Sequence, residues 1–207
     1  VFMVDYALVA RAVLRAERGK AHQAQFRYMK LKQQVNPHFL FNSLNILDCL
    51  VCEQRTEQAS AYIHKLAGIY RYMLQNEEET LVRLREEMAF VGMYVDLLQV
   101  RFPEGFRVET DIPDEAMNRH VLPCSVQLLI ENAIKHNSVG ADRPLVIRIV
   151  AVAEAVTVSN NLQLKVSGTT STRVGLNYIR QQYLDLSGIP IGIRRTDTEY
   201  CVTLPLL

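Results

Sequence analysis

One histidine of this 207-residue chain lies directly after a proline, in the stretch Gln34-Val35-Asn36-Pro37-His38-Phe39-Leu40-Phe41-Asn42-Ser43-Leu44-Asn45. A neutral imidazole is a nucleophile, and the surrounding residues favour a helix that would present it. Because proline removes one helical hydrogen bond and clashes with the carbonyl four residues before it, we expect a kink beginning near Gln33. At helical spacing Asn42 and Asn45 share one face with His38. Taken alone, this spacing fits an ordinary surface histidine on a packed helix.

A second polar cluster lies in the stretch Leu128-Leu129-Ile130-Glu131-Asn132-Ala133-Ile134-Lys135-His136-Asn137. Asn132, Lys135 and His136 stand at positions i, i+3 and i+4, so an amide oxygen, an ammonium and an imidazole share one helical face. This set suits Mg²⁺ bound to a triphosphate, because a hard cation takes oxygen ligands and lysine meets phosphate charge. A solvated helix face on which Glu131 pairs with Lys135 explains the spacing about equally well.

The stretch around His38 closely resembles the phosphoacceptor box (NPHFLFN) of the LytS-type sensor histidine kinases, whose pattern is close to Q-[IV]-N-P-H-F-L-F-N-[ST]-L-N. In that family the histidine receives the γ-phosphoryl group of ATP and passes it to an aspartate of a response regulator. The resemblance implies that His38 is the phosphoacceptor. No carboxylate follows His38 directly, unlike in other histidine kinase families. Asn42 is our candidate for orienting the ring through its distal N–H.

The second stretch is similar to the family's L-x-E-N-A-[IV]-K-H word, which is the N box of the Bergerat (GHKL) ATP-binding fold. Histidine kinases, type II topoisomerases and a family of chaperones share this fold. The resemblance implies that Asn132 holds Mg²⁺ and that Lys135 and His136 belong to the nucleotide site. The expected cofactors are therefore ATP and Mg²⁺.

Two further nucleotide motifs depart from the family's pattern. Where the family has Asp-Asn-Gly after a strand, this chain has Asn160-Asn161-Leu162, so the acceptor for the adenine amine would be an uncharged amide oxygen. On that assignment, replacing Asn160 by Asp should strengthen adenine binding. The polar loop over residues 163–172 is, by resemblance, the ATP lid, although an ordinary surface loop has the same composition.

The family's Gly-x-Gly-Leu-x-Asn-Ile appears here as Arg173-Val174-Gly175-Leu176-Asn177-Tyr178-Ile179 and keeps only the second glycine. The resemblance assigns Arg173, Gly175 and Leu176 to nucleotide binding. Gly175 at a helix start permits close approach of the backbone to phosphate. Arg173 either reaches a phosphate or blocks the site, and the sequence leaves both alternatives open.

Helical segments dominate the first half of the chain. Residues 5 to about 50 contain only Gly19 and Pro37 as helix breakers, and further helices are predicted over about 57–76 and 84–101. The first two helices would form a hairpin with apolar faces made by Phe41, Leu44 and Leu47 on one helix and by Tyr62, Leu66, Ile69, Tyr70 and Met73 on the other. Because such a hairpin hides its apolar face most simply against a second copy, we predict a homodimer that forms a four-helix bundle.

Past Pro103 the pattern changes to the alternation that is typical of strands. We predict strands over 106–112, 145–152, 155–159, 189–195 and 200–205, and helices over about 122–137 and 174–186. Paired strands with two helices on one side predict a two-layer α/β sandwich in an α+β chain. We therefore expect a helical dimerisation and histidine phosphotransfer domain over residues 1–102 and an ATP-binding catalytic domain over residues 103–207.

The charge balance and the absence of a long apolar stretch limit the kinds of partner that the chain can be expected to bind. Lys+Arg 23 against Asp+Glu 22 gives a formal net charge of +1, which provides no overall field to attract nucleic acid or an anionic membrane. No stretch approaches the roughly 20 apolar residues that a membrane-spanning helix needs. The start at Val1 and the resemblance together predict a cytoplasmic fragment of an inner-membrane protein, with a sensor or membrane segment upstream. The four cysteines are expected to be reduced thiols.

Taken together, the two words predict a two-component kinase core that autophosphorylates His38 with ATP and transfers the phosphoryl group to a response regulator. The altered adenine and glycine motifs keep open a degenerate kinase, which would act as a dimeric scaffold or regulator without phosphotransfer. An ATPase or chaperone that shares only the Bergerat fold is a further alternative, but it gives no reason for the Asn-Pro-His-Phe word.

Overall fold

The structure is a computed structural model, which describes residues 37–76, 78–165 and 174–207. Residues Ile46–Leu207 form one compact unit, and a separate unit ends at Asn45. The compact unit contains helical residues predicted for the first domain as well as the whole sheet, and the predicted division at residues 102 and 103 stays a prediction. The kink near Gln33, Arg173 and most of the lid loop lie outside the described residues.

Long helices make up the first part of the described chain: α1 is Pro37–Cys52, α2 is Thr56–Gln75 and α3 is Leu84–Arg101. A short turn in which Gln54 has a φ of 57° joins α1 to α2. α2 ends where the backbone N–H and the side-chain Nδ2 of Asn76 both donate to the carbonyl of Tyr72. α3 begins with a capping contact, because the Glu86 carboxylate accepts a 3.3 Å hydrogen bond from the Arg83 N–H.

α2 packs against α3 within a single chain. Tyr62, Leu66 and Ile69 are buried, as the spacing predicted. A Cβ atom at Gly68 would lie 2.8 Å from Sδ of Met93 on α3, so the glycine permits a close approach of the two helices. Our premise that the hairpin's apolar stripes lack cover within the chain is therefore wrong for α2, because α3 provides that cover.

The apolar face predicted on α1 is largely exposed among the residues that the structure describes. Phe41 is 66% exposed and Leu44 is 48% exposed, while Leu47 is half-buried. Further along the helices, Val51 and Leu74 are also exposed. The described part of the chain therefore leaves Phe41 and Leu44 largely uncovered, and exposed apolar patches of this kind are typical of interaction sites.

The second part of the described chain is built on a mixed five-stranded sheet, with the order β2 (Phe106–Asp111), β4 (Leu145–Val152), β5 (Ala155–Asn161), β7 (Glu199–Pro205) and β6 (Gly192–Arg195). β2 runs parallel to β4, and the other neighbours are antiparallel. The predicted hairpin of β4 and β5 is present, with Val152 opposite Ala155.

Smaller elements were not predicted. β1 (Val82–Arg83) pairs with β3 (His120–Val121), and the short helix α4 covers Asp114–Met117. Segments of two to four residues are too short to show a periodicity, so the sequence pattern carries no signal for them.

Helices α5 (Ser125–His136) and α6 (Val174–Ser187) complete the fold. One face of β4 is core, since Leu145, Ile147 and Ile149 are fully buried and alternate with more exposed residues. The helices contribute buried apolar side chains to the same core, namely Val126, Ile130, Ile179 and Tyr183. Truncating one such isoleucine to alanine would cost about 2–5 kcal/mol. The predicted two-layer α/β sandwich is therefore confirmed.

Candidate functional site

His38 is exposed near the start of the described part of α1. The side-chain nitrogen of Asn42 lies 3.1 Å from Nδ1 of His38 and 3.2 Å from Nε2. A ring nitrogen accepts a hydrogen bond from an amide only when the imidazole is neutral. Asn42 thus reaches the ring, as expected, but it does so as a donor, whereas we expected it to accept from the distal N–H.

Helix α5 carries the predicted metal ligand and its neighbours. Asn132 and His136 are half-buried and Lys135 is exposed, all within one uninterrupted helix that keeps them on one face. Glu131, the residue before Asn132, accepts a 3.1 Å hydrogen bond from Nε2 of Gln127 one turn earlier.

The start of α5 is held by a buried carboxylate from α3. Glu87 is fully buried, and its oxygens accept hydrogen bonds from the backbone N–H groups of Cys124 (2.9 Å), Val126 (3.0 Å) and Gln127 (3.5 Å). The hydroxyl of Tyr72 on α2 donates to the same carboxylate at 2.8 Å. Burial raises the pKa of Glu87 and these four donors oppose that rise. Burial and the adjacent carboxylate raise the pKa of Tyr72, which stays a hydroxyl donor.

The end of α5 is tied to the segment that follows β5. Asn137 is buried; its Oδ1 accepts from the Gln163 N–H at 2.8 Å, and its Nδ2 donates to the Ala133 carbonyl at 2.8 Å. The ammonium of Lys165 donates to the carbonyls of Ile134 (3.1 Å) and Lys135 (3.0 Å). A lysine at this position satisfies terminal carbonyls and suits the helix dipole.

Positive charge gathers around this end of α5. Burial, followed by the charges of Lys135 and Lys165, lowers the pKa of His136 below its ordinary value. Burial and the charge of Arg101 lower the pKa of Lys165. The lowered pKa disfavours a charged ring at His136, so Lys135 and Lys165 are the cations beside it at this helix end.

Asn160 lies near the end of β5, paired with Ile147 on β4 and Tyr200 on β7. It is buried, and its Nδ2 donates to the backbone carbonyl of Asn161 at 2.8 Å. The side chain of Asn161 is also engaged, because its Oδ1 accepts from the Val146 N–H at 2.7 Å. With its nitrogen fixed by this bond, the Asn160 amide has its oxygen as the group suited to accept from a base.

Gly175 and Leu176 are half-buried in the first turn of α6. A Cβ atom at Gly175 would lie 2.9 Å from Cδ2 of Leu128 on α5, so the glycine permits close contact between the two helices. This packing role is additional to the close approach to phosphate that we predicted.

The sequence missed Glu87, Asn137 and Lys165 as residues that position the site. Each acts on a partner in another element, and Glu87 contacts amides 37 to 40 residues away, so no local spacing marks it. The sequence offers only a weak signal for two of them. Asn137 is the last residue of the stretch 128–137, and Lys165 lies in the polar loop over residues 163–172.

The donor set fits Mg²⁺ held together with a nucleotide. An amide oxygen from Asn132 is a hard ligand, and Mg²⁺ keeps waters and phosphate oxygens in its remaining positions. Within the described ranges, no group of three or more His, Cys, Asp or Glu side chains is arranged to hold a metal ion. Cys49, Cys52, Cys124 and Cys201 form no disulfide in the described part of the chain.

Comparisons with known proteins bear on this site. Residues 26–106 match the histidine kinase family. The chain is 39% identical over 106 residues to the sensor protein LytS of Bacillus cereus, which covers 51% of this chain and 18% of that protein. It is 30% identical over 184 residues to the sensor histidine kinase BtsS of Escherichia coli K12, covering 86% of this chain and 32% of that protein. A solved bacterial phosphotransferase is 14% identical with a TM-score of 0.49, covering 87% of this chain and 96% of that chain.

The family match and the two curated relatives show that the chain is similar to LytS-type sensor histidine kinases, so the predicted resemblance to that family is confirmed. The chain spans about a fifth to a third of the length of the two curated relatives. Among the described helices, none is both long and apolar enough to cross a membrane.

Proposed function

We propose that this chain is the kinase core of a two-component sensor, which transfers the γ-phosphoryl group of MgATP to His38. The observation that carries the proposal is the anchoring of α5 at both ends by buried hydrogen bonds, which fixes the face that carries Asn132 and Lys135. A site whose supporting residues are already in place binds and orients a nucleotide without further ordering.

In this proposal each residue has a stated task. Asn132 would supply one oxygen ligand to Mg²⁺, and the metal ion would offset the charge that develops on the phosphate. Lys135 offsets further phosphate charge. The neutral ring of His38 attacks the γ-phosphorus in line, a bond from ring nitrogen to phosphorus forms, the bond from phosphorus to the bridging oxygen breaks, and ADP leaves.

The test is incubation of the chain with γ-labelled ATP and Mg²⁺. We expect label on the protein that is stable in alkali and lost in acid, as a phosphorus–nitrogen bond requires, and no label in the His38→Gln variant. Acid-stable label, or equal label in the His38→Gln variant, contradicts the proposal.

We propose that the phosphoryl group then moves to an aspartate of a response regulator, and that the chain acts as a homodimer within a longer membrane-associated sensor. The exposed Phe41 and Leu44 support the dimer, because these side chains on α1 lie on the predicted bundle face. Sedimentation of the wild-type chain should show a dimer at micromolar concentration, and Phe41→Lys should shift it to monomer. A wild-type monomer under the same conditions counts against the dimer.

A second candidate function is a degenerate kinase that binds partners without phosphotransfer. It is favoured by the adenine motif, in which a neutral Asn160 replaces the usual aspartate and its amide is already bonded to the Asn161 carbonyl. Calorimetry with ATP and Mg²⁺ separates the two candidates: dimerisation without measurable nucleotide binding supports the scaffold.

A further inference from the structure

We propose that Glu87 is a positioning residue for MgATP, and that it couples the last turns of α2 to the helix that carries Asn132. The inference rests on the proposed function, because it concerns the same nucleotide site. Its basis is the set of four hydrogen bonds that converge on one fully buried carboxylate.

Glu87 serves as the N-cap that α5 lacks. The residue at the cap position, Cys124, has a left-handed backbone with a φ of 59° and makes no side-chain cap bond. The carboxylate from α3 instead accepts from three backbone N–H groups of the first turn, where the helix dipole favours a negative charge. One side chain of α3 therefore fixes the position and orientation of the first turn of α5.

The position of Asn132 follows from that anchor. Asn132 lies six residues beyond Val126, which is roughly 9 Å along the helix axis. No glycine or proline interrupts α5 between these two positions, so the helix moves as one piece. A displacement or rotation of the first turn is thereby carried to the proposed magnesium ligand.

The same carboxylate is bonded to α2 through Tyr72. The Tyr72 hydroxyl lies 2.8 Å from Oε2 of Glu87, and its ring stacks on Phe90 of α3 with centroids 4.3 Å apart. The Tyr72 carbonyl is also the acceptor for both bonds that close α2 at Asn76. The end of α2 is thus fixed to the group that fixes α5, and a shift of α2 reaches the nucleotide site by this contact.

The test is a double-mutant cycle on binding of a non-hydrolysable ATP analogue with Mg²⁺, measured by calorimetry on the full chain. Glu87→Gln keeps the shape but replaces one acceptor oxygen with an NH₂ donor that faces N–H groups. We expect it to weaken binding about tenfold, as loss of a partner that orients a metal ligand does. In the Asn132→Ala background the same change should have little further effect. The matched control is Glu86→Gln, which removes the adjacent, exposed carboxylate and should leave binding unchanged.

Tyr72→Phe is the milder variant, because it leaves all three backbone bonds to the carboxylate in place. We expect a loss of about threefold, again only while Asn132 is present. If Glu87→Gln does not fold, the affinity of Tyr72→Phe for the ATP analogue tests the inference in its place.

Two outcomes overturn the inference: unchanged affinity in both variants, or an equal loss with and without Asn132, since either would mean that the carboxylate only stabilises the fold. Failure of the proposed function is distinguishable, because in that case Asn132→Ala itself leaves MgATP binding unchanged.

Discussion

The two chemical centres of this chain are built in different ways. His38 is exposed, and its side-chain contact is with Asn42, one helical turn away on the same helix. Asn132 sits on a helix whose first turn is held from α3 and whose last turn is held from the segment after β5. One centre is defined by local sequence and the other by contacts between distant parts of the chain.

The difference agrees with the two tasks that we propose. A phosphoacceptor must meet first a nucleotide and then the aspartate of another protein, so an exposed ring on a helix surface suits it. A nucleotide site gains affinity when its groups are positioned before the ligand arrives. Replacement of His38 itself should therefore affect transfer alone, and changes around α5 should affect binding or stability.

The largest effect is expected at the exposed centre. His38→Gln removes the nucleophile, so phosphorylation should be lost entirely, while MgATP affinity and dimerisation stay unchanged. Labelling with γ-labelled ATP and calorimetry on the same preparation provide both measurements. His64→Gln is the matched control, because His64 is also exposed on a helix and contacts the Ser60 carbonyl one turn away. Label that persists in the His38 variant would contradict the assignment.

The next effect concerns the helix face of Asn132. Asn132→Ala removes the proposed protein ligand to Mg²⁺, so affinity for MgATP should fall about 10–100-fold although His38 is intact. Asn118→Ala, an exposed amide elsewhere, controls for the loss of a side chain. Equal affinity of the two variants in calorimetry would remove Asn132 from the site.

Mixed dimers of these two variants test how the centres cooperate. If transfer occurs between subunits, the Asn132→Ala chain should become labelled, because its intact histidine meets the intact pocket of the His38→Gln chain. If transfer occurs within one subunit, the mixture should stay unlabelled. That result would mean that His38 and the nucleotide site must be intact in the same chain.

Asn137 tests whether the end of α5 is anchored as strongly as its start. Asn137→Ala leaves a buried N–H of Gln163 without its acceptor, and we expect a loss of about 2–3 kcal/mol in the free energy of unfolding. Urea unfolding measures it, with the exposed Asn45→Ala as control. A loss as small as that of the control would show that water replaces the Asn137 bonds.

The sequence predicted those elements whose patterns are long and regular. Helix α3 and strand β4 were predicted with the bounds that the structure has, because caps, breakers and alternation mark them. The start of α5 was placed at residue 122 but lies at Ser125, since Pro123 and the left-handed Cys124 delay it. β6 was placed from 189 but begins at Gly192, because Pro190 has no N–H to donate to a neighbouring strand.

The candidate site divides in the same way. His38 and Asn132 were found because each lies in a continuous sequence motif, and the resemblance of that motif to a known family suggested its function. Glu87 was not found, because a buried acid gains its role only from amides that the fold brings to it. The burial of Phe41 and Leu44 was predicted from spacing, and spacing cannot tell whether a partner or the same chain provides the cover.

A smaller effect with two opposite signs is expected at Asn160. An aspartate there would accept more strongly from the adenine amine, because a charged acceptor makes a stronger hydrogen bond than a neutral one. The affinity for ATP should therefore rise roughly a few-fold. The carboxylate would also face the Asn161 carbonyl, to which the present amide donates, so stability should fall by about 1 kcal/mol. Calorimetry and urea unfolding separate the two terms. Weaker binding by Asn160→Asp would mean that the side chain does not face the base.

The smallest effect is a pH dependence at the cationic end of α5. The pKa of His136 lies below its ordinary value of 6.5, through burial and then the charges of Lys135 and Lys165. The unfolded chain therefore takes up this proton at a higher pH than the folded chain does. The stability that His136 contributes is fully present above pH 6.5 and is lost as the pH falls through its folded pKa.

Lys165→Met tests the cause of that shift. It removes one of the two lysine charges, so a titration of the His136 ring followed by nuclear magnetic resonance should show its pKa moving upward toward the ordinary value. The pKa should stay below that value, because burial is the largest cause and remains. Arg148→Met, which removes an exposed cation paired with Glu109, is the matched control and should leave the His136 titration unchanged. An unmoved titration in Lys165→Met would show that its ammonium, although bonded to the last carbonyls of α5, adds nothing to the field at His136.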